Sequence, residues 1–98
     1  MNEYLLNPVR REGSISPRFH SVVLHNDDYT TFDFVVTVLV DVCGLTVEQA
    51  FTVALTVDEA GKGCAGIYTQ DIAMTKQLLI FKAAEQQGHP LRVTVEPE

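Results

Sequence analysis

The apolar positions of this chain change period several times, and each change marks an element. From Arg18 to His25 the run RFHSVVLH is β-rich around Val22, Val23 and Leu24, which predicts a first strand. Asn26-Asp27-Asp28-Tyr29-Thr30 follows, a cluster whose side chains bond nearby backbone groups and so end the strand. Residues 31–43, TFDFVVTVLVDVC, pose a conflict. Their β-branched content favours a strand. Yet Phe34, Val35, Val38, Leu39 and Val42 fall at i, i+1, i+4, i+5 and i+8, while Asp33, Thr37 and Asp41 recur four apart on another face. That spacing predicts a helix, stopped by Gly44.

Thr46 followed three residues later by Gln49 is a capping box, the start of a second helix. Val47, Ala50, Phe51, Ala54 and Leu55 form its expected apolar stripe, and Gly61 ends it. KGCAGIYT (residues 62–69) reads as a short strand. Thr69 with Asp71 opens a third helix, where Ile72, Lys76, Leu79, Ile80 and Ala83 recur at helical spacing before Gly88. His89-Pro90 is a turn, and LRVTV alternates as a final strand. Residues 1–17 are polar, hold Pro8, Gly13 and Pro17, and read as a flexible N-terminal extension to a single folded domain over 18–98. The order β-α-α-β-α-β predicts an α+β fold, a two-layer sandwich of three helices on a small three-stranded antiparallel sheet.

Charge then narrows the partners. Thirteen acidic against seven basic residues give a net charge of −6. A basic face for nucleic acid is hard to build from that supply, and a ligand carrying a positive group suits it better. No apolar run approaches the roughly 20 residues that cross a bilayer, and the N-terminus lacks a signal-peptide core, so no membrane partner is expected. Cys43 and Cys64 are too few for a disulfide framework and read as reduced, partly buried thiols of a cytoplasmic protein. His20, His25 and His89 are scattered, and no His/Cys pair has metal-ligand spacing. Gly61, Gly63 and Gly66 precede or lie within a strand and make no phosphate loop. No nucleophile–base set emerges. The expectation is no enzyme, no catalytic residue, no metal and no cofactor.

Two signals remain. Asn26 to Thr30 is most simply a capped strand-to-helix turn. Asp58 lies at Phe51 plus seven and Ala54 plus four, so a carboxylate extends the apolar stripe at a helix C-terminus, where the dipole disfavours it. It either sits in water in a frayed last turn or faces a cleft and awaits a cation. The sequence leaves both open.

These signals, in order, resemble a known family. Asn26-Asp27-Asp28-Tyr29-Thr30, then Val57-Asp58-Glu59-Ala60-Gly61-Lys62, then Thr69-Gln70-Asp71-Ile72-Ala73-Met74-Thr75-Lys76, then His89-Pro90-Leu91 is similar to the ClpS adaptors of the bacterial Clp protease, collinearly over about residues 19–96. The resemblance implies a non-enzymatic adaptor for proteolysis by the N-end rule. It would bind the free N-terminus of peptides or proteins beginning with Leu, Phe, Tyr or Trp and hand them to the N-terminal domain of an AAA+ unfoldase, ClpA or ClpC. By position, Asn26 and Asp27 would hold the α-amino group. Asp28 and Thr30 would bind peptide backbone at the pocket mouth. Val35, Val57 and Leu91 would line the side-chain pocket. Asp71 and Lys76 would dock on the unfoldase, and residues 1–17 would serve delivery.

Three positions depart from the family pattern. Asp58 stands where the family usually has an amine-contacting His, and Phe32 and Ala54 stand where it often has Met. Asp58 then joins the amine site, while Phe32 and Ala54 reshape the pocket and extend acceptance to Ile and Val. A divergent member and an engineered N-terminal amino-acid binder both fit that pattern. The alternative is an interaction module that shares the fold, as the C-terminal domain of the ribosomal stalk protein does, without binding an N-degron.

Overall fold

The conflict at residues 31–43 resolves as a helix. In a computed structural model that describes residues 18–98, the elements are β1 (Phe19–His25), α1 (Phe32–Asp41), α2 (Val47–Ala60), β2 (Lys62–Thr69), α3 (Gln70–Gln87) and β3 (Arg92–Pro97). The expected extension, residues 1–17, lies outside the described residues. Burial decides the helix: Val35, Val38 and Leu39 go into the core, and Thr31 caps the start by accepting from the Phe34 amide at 3.2 Å. The Thr46–Gln49 capping box forms in both directions. Thr69 occupies the N-cap of α3, but its hydroxyl makes no capping bond. Among the described residues no helix is long and apolar enough to cross a membrane.

The sheet is antiparallel with order β2-β1-β3. Val22 and Leu24 point from its centre toward the helices and are fully buried, sharing one apolar cluster with Leu39, Ala50, Ala73 and Ile80. Between Val22 and Val23 the pairing with β2 slips, Val22 facing Gly66 and Val23 facing Cys64, so that Ala65 bulges onto the core side. β3 is an edge strand, and the Gln77 amide of α3 donates to its Val93 carbonyl at 2.9 Å. Cys43 is half-buried and Cys64 exposed; both are free thiols.

The expected helix stripes need correction. In α2, Ala50, Ala54 and Val57 are buried, while Val47, Phe51 and Leu55 are exposed. In α3, Ala73, Ile80 and Ala84 are buried, while Ile72 and Leu79 are exposed. Small residues mark the inner faces because the helices lie close on the sheet. A Cβ added at Gly63 of β2 would come within 2.9 Å of the Val57 Cγ2 and 3.2 Å of the Val53 carbonyl.

On the opposite sheet face His25 bonds the Thr94 hydroxyl at 2.8 Å and lies 3.9 Å from a Glu96 carboxylate oxygen. Partial burial and then the neighbouring Arg92 push the His25 pKa below its usual 6.5, with Glu96 opposing and Lys62 adding to the lowering. The unfolded chain therefore holds more protons than the fold between that lowered value and about 6.5, so stability rises with pH across this window. The contribution is complete above about pH 6.5 and falls away as pH drops through the folded value. Urea melts between pH 7.5 and 5 should show that slope, and His25→Gln should flatten it.

Candidate functional site

The β registers place His25, Lys62 and Arg92 side by side, so the chain leaving β1, the end of α2 and the turn before β3 converge at one end of the sheet. The Asn26 amide donates to the Gly61 carbonyl at 2.9 Å, latching the loop after β1 to the C-terminus of α2. Gly61 can take that place because it adopts a left-handed conformation, φ 92°, open to a residue without a Cβ.

Asp27 organises the rest of the loop. One carboxylate oxygen accepts from the Tyr29 amide at 2.8 Å and the Thr30 amide at 2.7 Å, and the other accepts from the Thr30 hydroxyl at 2.7 Å. Partial burial raises the Asp27 pKa, but the two Thr30 bonds, the Tyr29 amide and nearby His89 outweigh it and hold the carboxyl below its usual value. The turn reading is thus real. It also keeps an anion in place. Among the described residues the side chains of Asn26, Asp28 and Asp58 make no hydrogen bond, and all three are exposed. Thr30 is half-buried.

Backbone bonds tie the loop to the apolar core: the Gly61 amide donates to the Val57 carbonyl at 3.0 Å and the Val35 amide to the Thr31 carbonyl at 3.2 Å. Val35, Ala54, Val57 and Leu91 are each at most 6% exposed and belong to one contiguous cluster, with Phe32 packed half-buried against it. The His89 ring packs against Phe34 of α1, centroids 4.6 Å apart and tilted by 41°, which seats the turn leading into Leu91. The Phe32 ring meets Phe51 of α2 edge to face, centroids 5.2 Å apart. An apolar groove of about 740 Å³ between α3 and β3, walled by Met74, Leu78, Phe81 and Val93, shares only Leu91 with this set.

The expected docking pair sits apart from the loop, on α3. Asp71 is exposed in the first turn. Lys76 is less free than the sequence suggests: its ammonium donates to the Val42 carbonyl at 2.8 Å and lies 5.8 Å from the Tyr68 ring centre. α1 has no basic residue in its own last turn, so Lys76 supplies the cation that its C-terminus lacks. Lys76→Met should lower stability by about 1 kcal/mol in denaturant melts, since stem packing survives and the charged bond does not.

Sequence reasoning missed Phe51, read as core, and Gly63, which makes room for Val57. A glycine opposite a helix was the one available signal for the latter.

The family model for the ATP-dependent Clp protease adaptor protein ClpS matches residues 16–94 of the chain. The chain belongs to the ClpS family. It is 46% identical over 88 residues to the ClpS adapter of Neisseria gonorrhoeae, covering 90% of this chain and 85% of that protein. It is 46% identical over 80 residues to ClpS of Nitratidesulfovibrio vulgaris strain Miyazaki F, covering 82% and 80%. Among solved structures, Agrobacterium tumefaciens ClpS2 bound to L-phenylalaninamide superposes with a TM-score of 0.82 at 34% identity, covering 85% of this chain and all of that one. ClpS proteins are adaptors of the Clp protease, and the expected α+β fold is the one found.

Proposed function

We propose that this ClpS chain binds the free amino terminus of polypeptides that begin with a bulky hydrophobic residue and delivers them to an AAA+ Clp unfoldase, ClpA or ClpC. The observation that carries the reading is that the loop organised by the ionised, partly buried Asp27 is tied by backbone bonds to the apolar set, Asn26 to Gly61 and Gly61 to Val57 on one side and Val35 to Thr31 on the other. An N-terminal residue has the matching halves: an ammonium and, on the same carbon, a side chain. Phenylalaninamide, the ligand of the similar ClpS2, has both.

In this reading Asp27 supplies charge more than contacts, since three of its roughly four lone-pair sites are spent on the turn. Asn26 and Asp58 supply the remaining acceptors for the ammonium. Asp28 and Thr30 engage the backbone behind the first residue, and Phe32, Val35, Ala54, Val57 and Leu91 enclose its side chain. Asp71 on α3 and the neighbouring Lys76 form the unfoldase-docking face, with residues 1–17 as the delivery segment and 18–98 as the adaptor core.

Burying a Leu- or Phe-sized side chain contributes about 1.5–3 kcal/mol, and two or three charge-assisted bonds about 1.5–3 kcal/mol each. At the upper end, with three such bonds and an association cost of about 4 kcal/mol, the balance reaches the roughly 8 kcal/mol of a micromolar complex. Labelled peptides beginning with Leu, Phe, Tyr, Trp, Ile, Val or Ala, and with acetyl-Phe, test it by titration. Micromolar binding of free bulky N-termini and none of acetyl-Phe is the expected result; a best ligand weaker than millimolar refutes it. Asp58→Asn should weaken the best peptide about fivefold at low salt, and added salt should narrow the gap. Equal affinities would leave the amine to Asn26 and Asp27.

A further inference from the structure

We propose that Phe51 is a positioning residue for the first-residue pocket, holding the Phe32 ring as a fixed wall; the proposal rests on the N-terminus-binding reading above.

The core does not require Phe51. It is 49% exposed on the outer arc of α2, between Val47 and Leu55, which are also exposed. Its one aromatic neighbour among the described residues is Phe32, met edge to face at 5.2 Å and 74°. That geometry is the favoured one for a ring pair, whose positive edge meets a negative face.

Phe32 needs such a partner. Its backbone is well fixed, as the first residue of α1 after the Thr31 cap and two residues from Thr30, which is bonded to Asp27. Its ring is not fixed by those bonds. One side rests on the core, and the residue is only half-buried. Ala54, one turn beyond Phe51 on α2 and 2% exposed, ends at its Cβ and offers no side chain long enough to stop the ring from turning. Phe51 is the group that limits it. A wall set before the ligand arrives spares the ordering that binding would otherwise impose. Phe51 thereby acts through Phe32 and never needs to touch the ligand.

A double-mutant cycle tests this on the full chain, with Phe-, Leu- and Val-first peptides and acetyl-Phe as probes. Phe51→Ala should weaken the Phe-first peptide about two- to tenfold, the range expected for loss of an edge-to-face pair. The loss should shrink for the Val-first peptide, whose shorter side chain reaches the wall less. In a Phe32→Ala background the same change should alter affinity by less than 1.5-fold, and Phe51→Tyr, which keeps the ring, should restore wild-type affinity. Denaturant melts of each variant keep any folding loss separate, and ring-current shifts of the Phe32 protons report the contact without ligand. An equal loss in both backgrounds, no loss in either, or unshifted Phe32 protons in Phe51→Ala would overturn the bracing. Wild-type protein that binds acetyl-Phe as well as free Phe would instead overturn the N-terminus reading, and this proposal with it.

Discussion

Asp27→Ala should lower stability by about 2–3 kcal/mol and abolish measurable binding of a Phe-first peptide. The alanine deletes the acceptor of two amides and one hydroxyl at once. Bonds to a charged group contribute about 1.5–3 kcal/mol each when buried, and the total is set below their sum because the loop is partly solvated. Asp28→Ala, one residue on and without a bond among the described residues, should stay within about 0.5 kcal/mol of wild type in stability. Asp27→Asn separates fold from charge. Its amide oxygen still accepts from the Tyr29 and Thr30 amides, and the Thr30 hydroxyl can turn to accept from its NH₂. Stability should therefore fall by less than about 1 kcal/mol, while the lost charge weakens peptide binding about 5–30-fold, the equivalent of 1–2 kcal/mol. Urea melts and titrations on the three variants read both quantities.

Gly63→Ala should cost about 2 kcal/mol, although alanine ordinarily favours a strand over glycine. The new methyl would stand 2.9 Å from Val57 Cγ2 and 3.2 Å from the Val53 carbonyl. The first neighbour is a β-branched side chain with little rotameric freedom, and the second is helix backbone. Relief requires α2 to back away from the sheet, carrying Val57 and Ala54 out of place, so affinity for bulky N-termini should fall along with stability. Val57→Ala removes the nearer clash. Gly63→Ala should then cost about 1 kcal/mol less in the Val57→Ala background than in wild type, and additive losses would show that the helix backbone, not Val57, is the obstacle.

Most of the architecture was legible in the sequence. The four-residue recurrence of Asp33, Thr37 and Asp41 outweighed a β-branched composition, and the Thr46–Gln49 box fixed the start of α2 to the residue. What failed was the ranking of apolar positions within a helix. Periodicity identifies an arc of surface, but the depth at which that arc packs depends on what stands opposite. Gly63 stands opposite α2, so Ala50 and Ala54 go deep there while the larger Phe51 and Leu55 remain outside, and in α3 Ala73 and Ala84 are buried beside Ile80 while Leu79 is exposed. The candidate site was legible only as fragments. Asn26–Thr30 could be read as a turn or as a binding loop, and the hydrogen bonds of Asp27 are those of a turn whose carboxylate nevertheless stays ionised. The meeting of that loop with Gly61 and His89 comes from strand register, which no local pattern along the chain encodes.

The bond from Gln77 to the outer edge of β3 bears on solubility as well as packing. Strands exposed in other polypeptides look for a sheet to extend. An unpaired edge is the natural template for such pairing, and proteins keep aggregates from growing there by blocking it. Gln77 occupies the Val93 acceptor that an incoming strand would need for its register, and Pro97 at the far end of β3 has no amide to donate. The edge is thereby poorly suited to adopt a foreign chain.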